Sequence, residues 1–339
     1  MTAQATDPTT ASWETRVDGQ ITAIAVRRGA SPAIAVATED GIGWWIGPDG
    51  EVRARAVSGV DVPTDISVHP TCDAIAVSGT RGYALWEIDS DPVCHGSSWS
   101  CAVTHNRAGR LAVATGRQVA IHDEDGARTY VSAAAPSTVT ALAWTAQGNR
   151  VAASAYGGVY QYDGEQPEPV KVHRYTGSHL AVAADPNGRW ICSGNQDASV
   201  HIWRTADNTD LEMAGYSWKV TRLAFDETGR WFANNGAPEL TVWDFIGKGP
   251  RGRKPQMLSG HTRVVDLDWR PGADGILASV GSEATARIWN LTGPAVGKTR
   301  KAVHVLPGND AVAVRWLDQS RLVVARTGGV LSLTQWPPR

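Results

Sequence analysis

The sequence predicts an all-β fold in which short antiparallel strands form repeated four-stranded units. Two observations support this prediction. Short apolar runs alternate with breaks rich in Gly, Pro and Asp along most of the 339 residues, which include 35 Gly and 18 Pro. Such alternation is typical of strands joined by tight turns. The chain also contains 15 Trp but 3 Phe, an imbalance that is explained if Trp recurs in each unit.

The stretch 260–290 is the fullest copy of the unit. It contains three apolar runs, 264–269, 276–280 and 286–289, which are separated by Gly-containing turns. Weaker copies elsewhere predict eight units, whose first strands begin near residues 21, 63, 99, 138, 179, 219, 263 and 310. These spacings of about 36 to 47 residues are typical of repeats arranged around a ring.

The last unit indicates how the ring closes. Its three apolar runs lie between residues 311 and 333 and are not followed by a fourth. Residues 12–17 have a strand-like pattern but no neighbouring strand before them. We therefore expect 12–17 to be the fourth strand of the last unit, where it covers an exposed sheet edge. The chain, 1–339, is then one domain with a flexible tail at 1–11.

The two ends of the 260–290 unit resemble the signature of a WD40 repeat. The unit opens with Gly260-His261 and closes with Trp289-Asn290, at the places of the family's GH and WD dipeptides. This resemblance implies an eight-bladed β-propeller with four-stranded antiparallel blades. Seven blades, the commoner number in the family, is the alternative if unit two or unit three is not a blade.

The resemblance also implies a structural tetrad in this unit. In the family, a His, a Ser or Thr, an Asp and a Trp form a hydrogen-bonded set that ties outer strands to inner ones. The matching residues are His261, Ser279, Glu283 and Trp289. Glu283 stands where Asp is usual and is one methylene longer, so the geometry of the set is open at this stage.

Two other segments carry parts of the family pattern. Unit five keeps Ser193, Asp197 and Trp203 but has no matching Gly-His pair. The segment 215–250 is similar to a bacterial subgroup of WD40-like proteins that accompanies metal-handling GTPases. That likeness implies a bacterial protein and a link to metal homeostasis.

Composition excludes several functional classes. The formal net charge is −2, so the chain has no overall basic field to attract nucleic acid. No apolar run approaches the roughly 18 residues of a membrane span, and the start of the chain lacks the pattern of a secretory signal. Four irregularly spaced Cys do not form a disulfide framework. We expect a cytoplasmic monomer.

The resemblance implies a recognition surface on the loops that join fourth to first strands and second to third strands. The partner is then a protein or peptide. Exposed Trp, Tyr and Arg are the side chains that dominate binding surfaces, and for Trp99 and Trp218 the alternative is packing between blades. The predicted partner-binding residues are Asp61, Arg81, Trp99, Tyr156, Asn195, Gln196, Trp218, Lys219 and Arg263.

Cys94, His95 and Cys101 are candidate ligands for a zinc ion. Thiolate and imidazole are preferred zinc ligands, and a structural site needs four of them, for which His179 is a further candidate. Their spacing matches no zinc finger. The alternative is that Cys101 packs as a small buried apolar side chain.

No catalytic motif is present. The sequence lacks a GxSxG elbow and an HExxH helix, and the acidic run 123–125 precedes Gly126 in a predicted turn. The basic segment 247–255 contains no aromatic residue and is expected to be a solvated connection. The sequence therefore predicts a non-catalytic platform for a protein or peptide partner. The alternatives are an accessory protein in zinc homeostasis and a propeller enzyme.

Overall fold

The structure of the protein, a computed structural model, describes residues 12–272, 275–292 and 299–336. The predicted flexible tail, residues 1–11, lies outside the described residues. The described residues form 31 strands and one short 3-10 turn, Thr327–Gly329.

The strands are numbered in chain order. In the first half of the chain they are β1 (Trp13–Arg16), β2 (Ile21–Arg27), β3 (Ala33–Thr38), β4 (Ile42–Ile46), β5 (Val52–Val57), β6 (Pro63–Val68), β7 (Ala74–Gly79), β8 (Gly82–Glu87), β9 (Val93–His95), β10 (Ser100–His105), β11 (Leu111–Thr115), β12 (Gln118–His122), β13 (Arg128–Val131), β14 (Ala141–Trp144) and β15 (Val151–Tyr162). In the second half they are β16 (Lys171–Ala184), β17 (Trp190–Asn195), β18 (Val200–Arg204), β19 (Asp210–Met213), β20 (Leu223–Phe225), β21 (Trp231–Asn234), β22 (Leu240–Asp244), β23 (Gln256–Leu258), β24 (Val264–Trp269), β25 (Ile276–Gly281), β26 (Ala286–Asn290), β27 (Thr299–Arg300), β28 (His304–Val305), β29 (Ala311–Trp316), β30 (Arg321–Arg326) and β31 (Val330–Gln335).

The strands form a β-propeller of antiparallel blades. Units one, two and three are the four-stranded sheets β2–β5, β6–β9 and β10–β13. Unit six is β20–β23 with β27 added, unit seven is β24, β25, β26 and β28, and the last unit is β29–β31 with β1. The first strands contact one another in a closed cycle, which runs β2, β6, β10, β14, β16, β20, β24, β29 and back to β2.

The predicted count of eight separate blades is wrong. The described residues form seven sheets, the number given by the alternative, because units four and five share one six-stranded sheet, β14–β19. The fusion occurs in β16, which pairs with β15 as far as Ser178 and with β17 from His179 onward. Two predicted strands with a connection between them are thus one continuous strand. Units two and three, the two units that were in question, are both complete sheets.

The burial of each strand follows its place in the blade. Second strands are buried on both faces, since each blade packs against a neighbour on either side; β3, β17 and β25 are buried at every residue. Their sequences are accordingly almost continuous apolar or small residues rather than an alternation. The outer strand β5 exposes alternate residues to solvent. These patterns explain why the inner strands of every unit are easy to recognise and the outer ones are weak.

The hydrophobic core lies between the blades. Each of its clusters combines side chains of two consecutive units: for example, one joins Ile34 and Trp44 of unit one to Leu331 of the last unit. Another joins Trp231 of unit six to Trp289 of unit seven. No unit has a core of its own, so each blade depends on both neighbours for the burial of its apolar faces.

A fifth strand crosses from unit seven to unit six. After β26 the chain reaches β27, which pairs in parallel with the outer strand β23 through Met257↔Thr299 and Leu258↔Arg300. It then returns to form β28, the short fourth strand of unit seven. The Arg300 guanidinium hydrogen-bonds to the Gln256 side chain, which holds the crossing in place. The sequence predicted four strands for unit six and did not predict this one.

The closing strand lies where the sequence predicts it. β1 pairs with β31 from Trp13↔Leu333 to Arg16↔Val330. Backbone hydrogen bonds extend the pairing at both ends, from Ser12 N to Leu333 O (2.7 Å) and from Val17 N to Gly329 O (2.9 Å). The N- and C-terminal parts of the chain therefore complete one blade.

Side chains of β1 also reach the first blade. Trp13 Nε1 donates a hydrogen bond to Pro48 O at 3.1 Å, and Thr15 Oγ1 donates to Gly50 O. Both acceptors lie in the turn between the third and fourth strands of unit one. The closing strand thus fastens the last blade to the first.

We expect deletion of residues 1–18 to lower the melting temperature by about 10 °C, because the deletion exposes the β31 edge and the apolar surface under β1. The measurement is a thermal unfolding scan of the purified proteins. A chain that begins at Ser12 retains the strand and is the matched control. An equal melting temperature for the two truncated chains would contradict the closing role.

Candidate recognition face

The two kinds of loop that were predicted to bind a partner lie on one side of the ring, here called the recognition face. The connections from fourth to first strands span residues 17–20, 58–62, 96–99, 132–140, 214–222, 259–263 and 306–310, and the loops from second to third strands span 39–41, 80–81, 116–117, 196–199, 235–239, 282–285 and 327–329. The corresponding positions of unit four, 156–157 and 174–178, lie within the continuous strands β15 and β16. Backbone hydrogen bonds join one kind to the other around the ring, as from Gln196 N to Ser178 O (3.0 Å) and from Ser282 N to Arg263 O (2.7 Å).

Most of the predicted partner-binding residues are accessible on this face. Trp99 is 47% exposed and Tyr156 is 51% exposed. Asp61, Arg81, Gln196 and Lys219 are also exposed, and Trp218 and Arg263 are half-buried. Trp99 is therefore not a buried contact between blades, the alternative that the sequence left open for it.

Trp218 and Arg263 lie against each other on neighbouring connections. The Arg263 guanidinium carbon is 6.0 Å from the centre of the Trp218 ring. This contact partly covers the indole, so Trp218 offers less free surface than Trp99. A partner that binds here meets a preformed pair rather than a free aromatic side chain.

Asn195 does not belong to the accessible surface. Its side chain is 1% exposed, because it is held within unit five. The Nδ2 group donates to Ser199 Oγ, and Oδ1 accepts a hydrogen bond from Ser193 Oγ, both at 3.0 Å. Its predicted role in partner binding is thus corrected to a structural one.

Two loops connect Trp99 to Tyr156. Gly116 N donates to Trp99 O (2.8 Å), and Val139 N donates to Gly116 O (2.9 Å). In the same connection, Ser137 Oγ accepts a hydrogen bond from Tyr156 N at 2.8 Å. The two exposed aromatic residues thus stand on one hydrogen-bonded arc of the recognition face.

The tetrad residues of unit seven are in mutual contact. Trp289 Nε1 donates to Ser279 Oγ at 2.8 Å, and the same oxygen is 2.8 Å from His261 Nε2. On its other side, the His261 ring hydrogen-bonds through Nδ1 to the Glu283 carboxylate. The four side chains form a chain of hydrogen bonds from the third strand, through the fourth-to-first connection, to the loop between the second and third strands.

The longer side chain of Glu283 is accommodated by additional donors. Thr262 N donates to Oε2 at 3.0 Å and Thr285 Oγ1 donates to Oε1 at 2.6 Å. Partial burial by itself disfavours the charged carboxylate, but the hydrogen bonds from Thr285, His261 and Thr262 outweigh it and lower the pKa of Glu283 to about 2. The carboxylate is therefore ionised at neutral pH and fixes both ends of the loop.

Unit five contains a related network that the sequence analysis missed. His179 Nδ1 is 2.8 Å from Ser193 Oγ, and His179 Nε2 is 3.0 Å from Tyr175 O. Asp197 accepts from Ser199 Oγ at 2.7 Å. One residue lies between Gly177 and His179, whereas His261 directly follows Gly260. The sequence pattern therefore did not identify His179 as the equivalent of His261. His179 is thus a structural residue of this blade.

The structure does not bring the candidate zinc ligands together. The Cys94 thiol donates to Ser58 O at 3.2 Å, on the side of unit one, and the Cys101 thiol donates to Val139 O at 2.7 Å, toward unit four. Burial raises the pKa of Cys101 to about 12, so it is not a thiolate at neutral pH. His95 stacks on Tyr83 with ring centres 5.0 Å apart. Among the described residues, no three His, Cys, Asp or Glu side chains form a group that could hold a metal.

Acidic residues near the centre of the ring connect neighbouring blades. Asp65 accepts a hydrogen bond from Val103 N (3.1 Å) of the next first strand. Asp268 likewise accepts one from Trp316 N at 2.7 Å. These carboxylates bind main-chain N–H groups, which gives them a structural role in joining the first strands.

Burial lowers the pKa of eight histidines: His69, His95, His105 (to about 3), His122, His173 (to about 4), His179, His201 and His261. Their imidazoles are neutral at pH 7, since the charged form loses solvation between the blades. Asp65 is shifted the other way: burial raises the pKa of its carboxyl to about 6.

One segment of the chain matches a known family of repeats. Residues 169–204 match the family "WD domain, G-beta repeat". This segment comprises the outer strand of unit four and the first three strands of unit five, which include the His179 network. The described residues contain no helix that is long and apolar enough to span a membrane.

Three relatives carry related sequence. The chain is 32% identical over 82 residues to SEC12-like protein 2 of Arabidopsis thaliana, an alignment that covers 24% of this chain and 21% of the relative. It is 27% identical over 114 residues to the Periodic tryptophan protein 2 homolog of Schizosaccharomyces pombe, covering 32% and 13%. It is 25% identical over 181 residues to Cell division cycle 20.1, cofactor of APC complex, of Arabidopsis thaliana, covering 50% and 38%. The matched region is thus less than two fifths of each relative's own length.

The closed ring of antiparallel blades, with a hydrogen-bonded tetrad in unit seven and a related network in unit five, defines a β-propeller built from repeats. The match at residues 169–204, together with this ring of blades, supports a likeness to β-propellers of the WD40-repeat family. That family consists in general of non-enzymatic scaffolds.

We expect Ser279→Ala to lower the free energy of unfolding by about 2 kcal/mol, because Trp289 Nε1 and His261 Nε2 both lose their buried partner. Urea unfolding of the purified protein measures the change. Ser282→Ala, at an exposed position of the following loop, is the control and is expected to have little effect. Equal stabilities for the two variants would show that the tetrad contributes nothing.

We expect the melting temperature to fall as pH decreases from 6.5 toward 4.5. Each of the eight imidazoles has a folded-state pKa below its unfolded value, so in this range the unfolded chain binds more protons and stability is lost. Asp65 has the opposite effect, because its folded-state pKa is raised, but it is one group against eight. Thermal scans at constant ionic strength between pH 7.5 and 4.5 test this; a higher melting temperature at pH 5 than at pH 7 would contradict it.

Proposed function

We propose that the protein is a non-catalytic interaction scaffold that binds a protein or peptide partner on its recognition face. The observation that carries this proposal is the arc from Trp99 to Tyr156. Most tryptophans are buried between blades, yet these two aromatic side chains are about half exposed. Aromatic side chains that are held in place by hydrogen-bonded loops lose little conformational entropy when they bind a partner.

The charge of this arc favours a partner segment that bears carboxylates. Arg81 and Arg117 lie on loops of units two and three, and Arg174 lies in the first part of β16, which belongs to unit four. None of the three makes an ion pair with a described residue. Asp61 is the one acidic residue on the same loops in the described chain. An acidic segment with an apolar or aromatic side chain complements this surface.

The comparisons support the same proposal at the level of the class. The relative Cell division cycle 20.1 of Arabidopsis thaliana is described as a cofactor of APC complex. For this chain we propose a comparable role with a partner of its own. The proposal includes a cytoplasmic location; its support is that Cys72 and Cys94 are exposed free thiols, a state typical of a reducing compartment.

We expect Trp99→Ala combined with Tyr156→Ala to abolish capture of the partner, because the two aromatic anchors lie on one arc. The measurement is affinity capture from the native cell extract with quantitative mass spectrometry, followed by titration calorimetry with the purified partner. About a hundredfold weaker binding is expected from the loss of two anchors.

A double variant, Ile246→Ala with Val303→Ala, is the matched control. Both side chains are about half exposed but lie on connections between third and fourth strands, away from the recognition face. The control is expected to bind as the wild type does. Loss of binding in the control, with binding retained by the Trp99/Tyr156 variant, would place the partner elsewhere and overturn the proposal.

A further inference from the structure

A cavity of about 710 Å³ lies between the blades of units two and three. Its walls come from the connections between first and second strands and between third and fourth strands of the two blades. It therefore opens away from the recognition face and does not depend on the function proposed for that face. Its volume is in the range of pockets that bind small molecules.

The cavity has an apolar floor and an acidic rim. Ile75, Trp86 and Leu111 line the floor and are buried. Four lining carboxylates are exposed at the rim: Glu87, Asp91, Glu124 and Asp125. No Lys or Arg is among the lining residues. The negative rim is thus not neutralised from within the cavity.

Four imidazoles also line the cavity: His69, His95, His105 and His122. Burial lowers the pKa of each, so all four are neutral at pH 7 and able to accept a hydrogen bond. His122 is already engaged, since its Nε2 is 2.8 Å from Tyr83 OH and its Nδ1 is 2.8 Å from Gly126 O. His95 is half-buried, and its imidazole stacks on Tyr83 and makes no side-chain hydrogen bond with a described residue.

The His69 imidazole is a buried polar group in the wall of the cavity. The residue is 7% exposed, and its Nε2 is buried without a hydrogen-bond partner. Its Nδ1 accepts from Cys72 N at 3.1 Å, which leaves the proton on Nε2. Because this N–H donates, an acceptor such as an ordered water or a carbonyl group of a ligand satisfies it, and the cationic head of a ligand does not.

Two neighbouring cations, Arg27 and Arg128, do not occupy the cavity. Arg27 is held by Asp73 (2.6 Å) and by Cys72 O (2.7 Å). Arg128 is exposed and acts on the pKa of His95 and His122, but it is not part of the lining. Both guanidinium groups therefore leave the four rim carboxylates open to an external cation.

We propose that this cavity binds an organic cation, with an ammonium or guanidinium group at the carboxylate rim and an apolar body on the floor. The carboxylates supply the charge, and the His95 imidazole supplies a neutral acceptor for an N–H of the cation. Ile75, Trp86 and Leu111 supply the apolar contact, which a hydrated inorganic ion does not use. The same chemistry has two sources, a free amine or the side chain of a basic peptide.

Isothermal titration calorimetry with hexylammonium as the probe tests the proposal on the full-length protein. Hexanol and hexanoate have the same chain with a neutral and a negative head, so they separate charge from apolar contact. We expect saturable one-to-one binding of hexylammonium that is at least tenfold tighter than that of hexanol, and no binding of hexanoate.

The triple variant Glu87→Gln, Asp91→Asn, Glu124→Gln removes three rim carboxylates at exposed positions. We expect it to bind hexylammonium about tenfold more weakly, as the sum of three partly screened attractions. The control is Glu51→Gln, Glu165→Gln, Glu168→Gln, which removes three exposed carboxylates from other blades. It is expected to bind as the wild type does, and equal melting temperatures show that both variants fold.

Titration with spermidine and with an acetylated, amidated lysine-containing tetrapeptide separates the two sources. Tighter binding of spermidine supports a free polyamine as the ligand, and tighter binding of the tetrapeptide supports a protein side chain. The proposal is overturned if the wild type does not bind hexylammonium saturably, if hexanoate binds as well, or if the rim and control variants weaken binding equally.

Discussion

The structure depends on contacts between blades, because no blade buries its apolar faces alone. Each core cluster is shared by two consecutive units, and inner carboxylates bind N–H groups of the next first strand. A ring built in this way has no stable end, since a terminal blade would expose one complete apolar face. The pairing of β1 with β31 removes that end. The recognition face is rigid for the same reason, because its loops are anchored to blades that are each packed on two sides.

The features predicted correctly from the sequence depend on strand periodicity. Inner strands such as β3 and β25 are apolar at nearly every position, so the number and order of the inner strands could be predicted from the sequence. The closing strand was predicted from the same pattern, because the last unit lacked a fourth strand and residues 12–17 had no neighbouring strand. The fusion of units four and five into one sheet could not be predicted from the sequence. Residues 174–178, which were predicted to be a connection, contain one Gly and no Pro, and nothing in them forces the chain to break within β16.

Site residues were harder to predict because exposure and contact depend on neighbouring blades. Trp99 and Trp218 have the same residue type in equivalent connections, yet Arg263 of the next unit partly covers Trp218. Asn195 lies in a predicted loop but is buried by Ser193 and Ser199. Cys94 and Cys101 are close in sequence, but the strands on which they lie direct the two thiols to opposite neighbours. The cavity between units two and three has no signature in either unit alone.

The pairing of Trp13 with Leu333 has a consequence for how the chain is made. At ribosomal speeds of about 5 to 20 residues per second, roughly 15 to 65 seconds pass between synthesis of the first strand and that of its partner. During this interval the early blades can form, but β1 has no edge on which to pair. The nascent protein is thus an open arc with two exposed apolar faces, and it becomes resistant to aggregation only when the last blade leaves the ribosome.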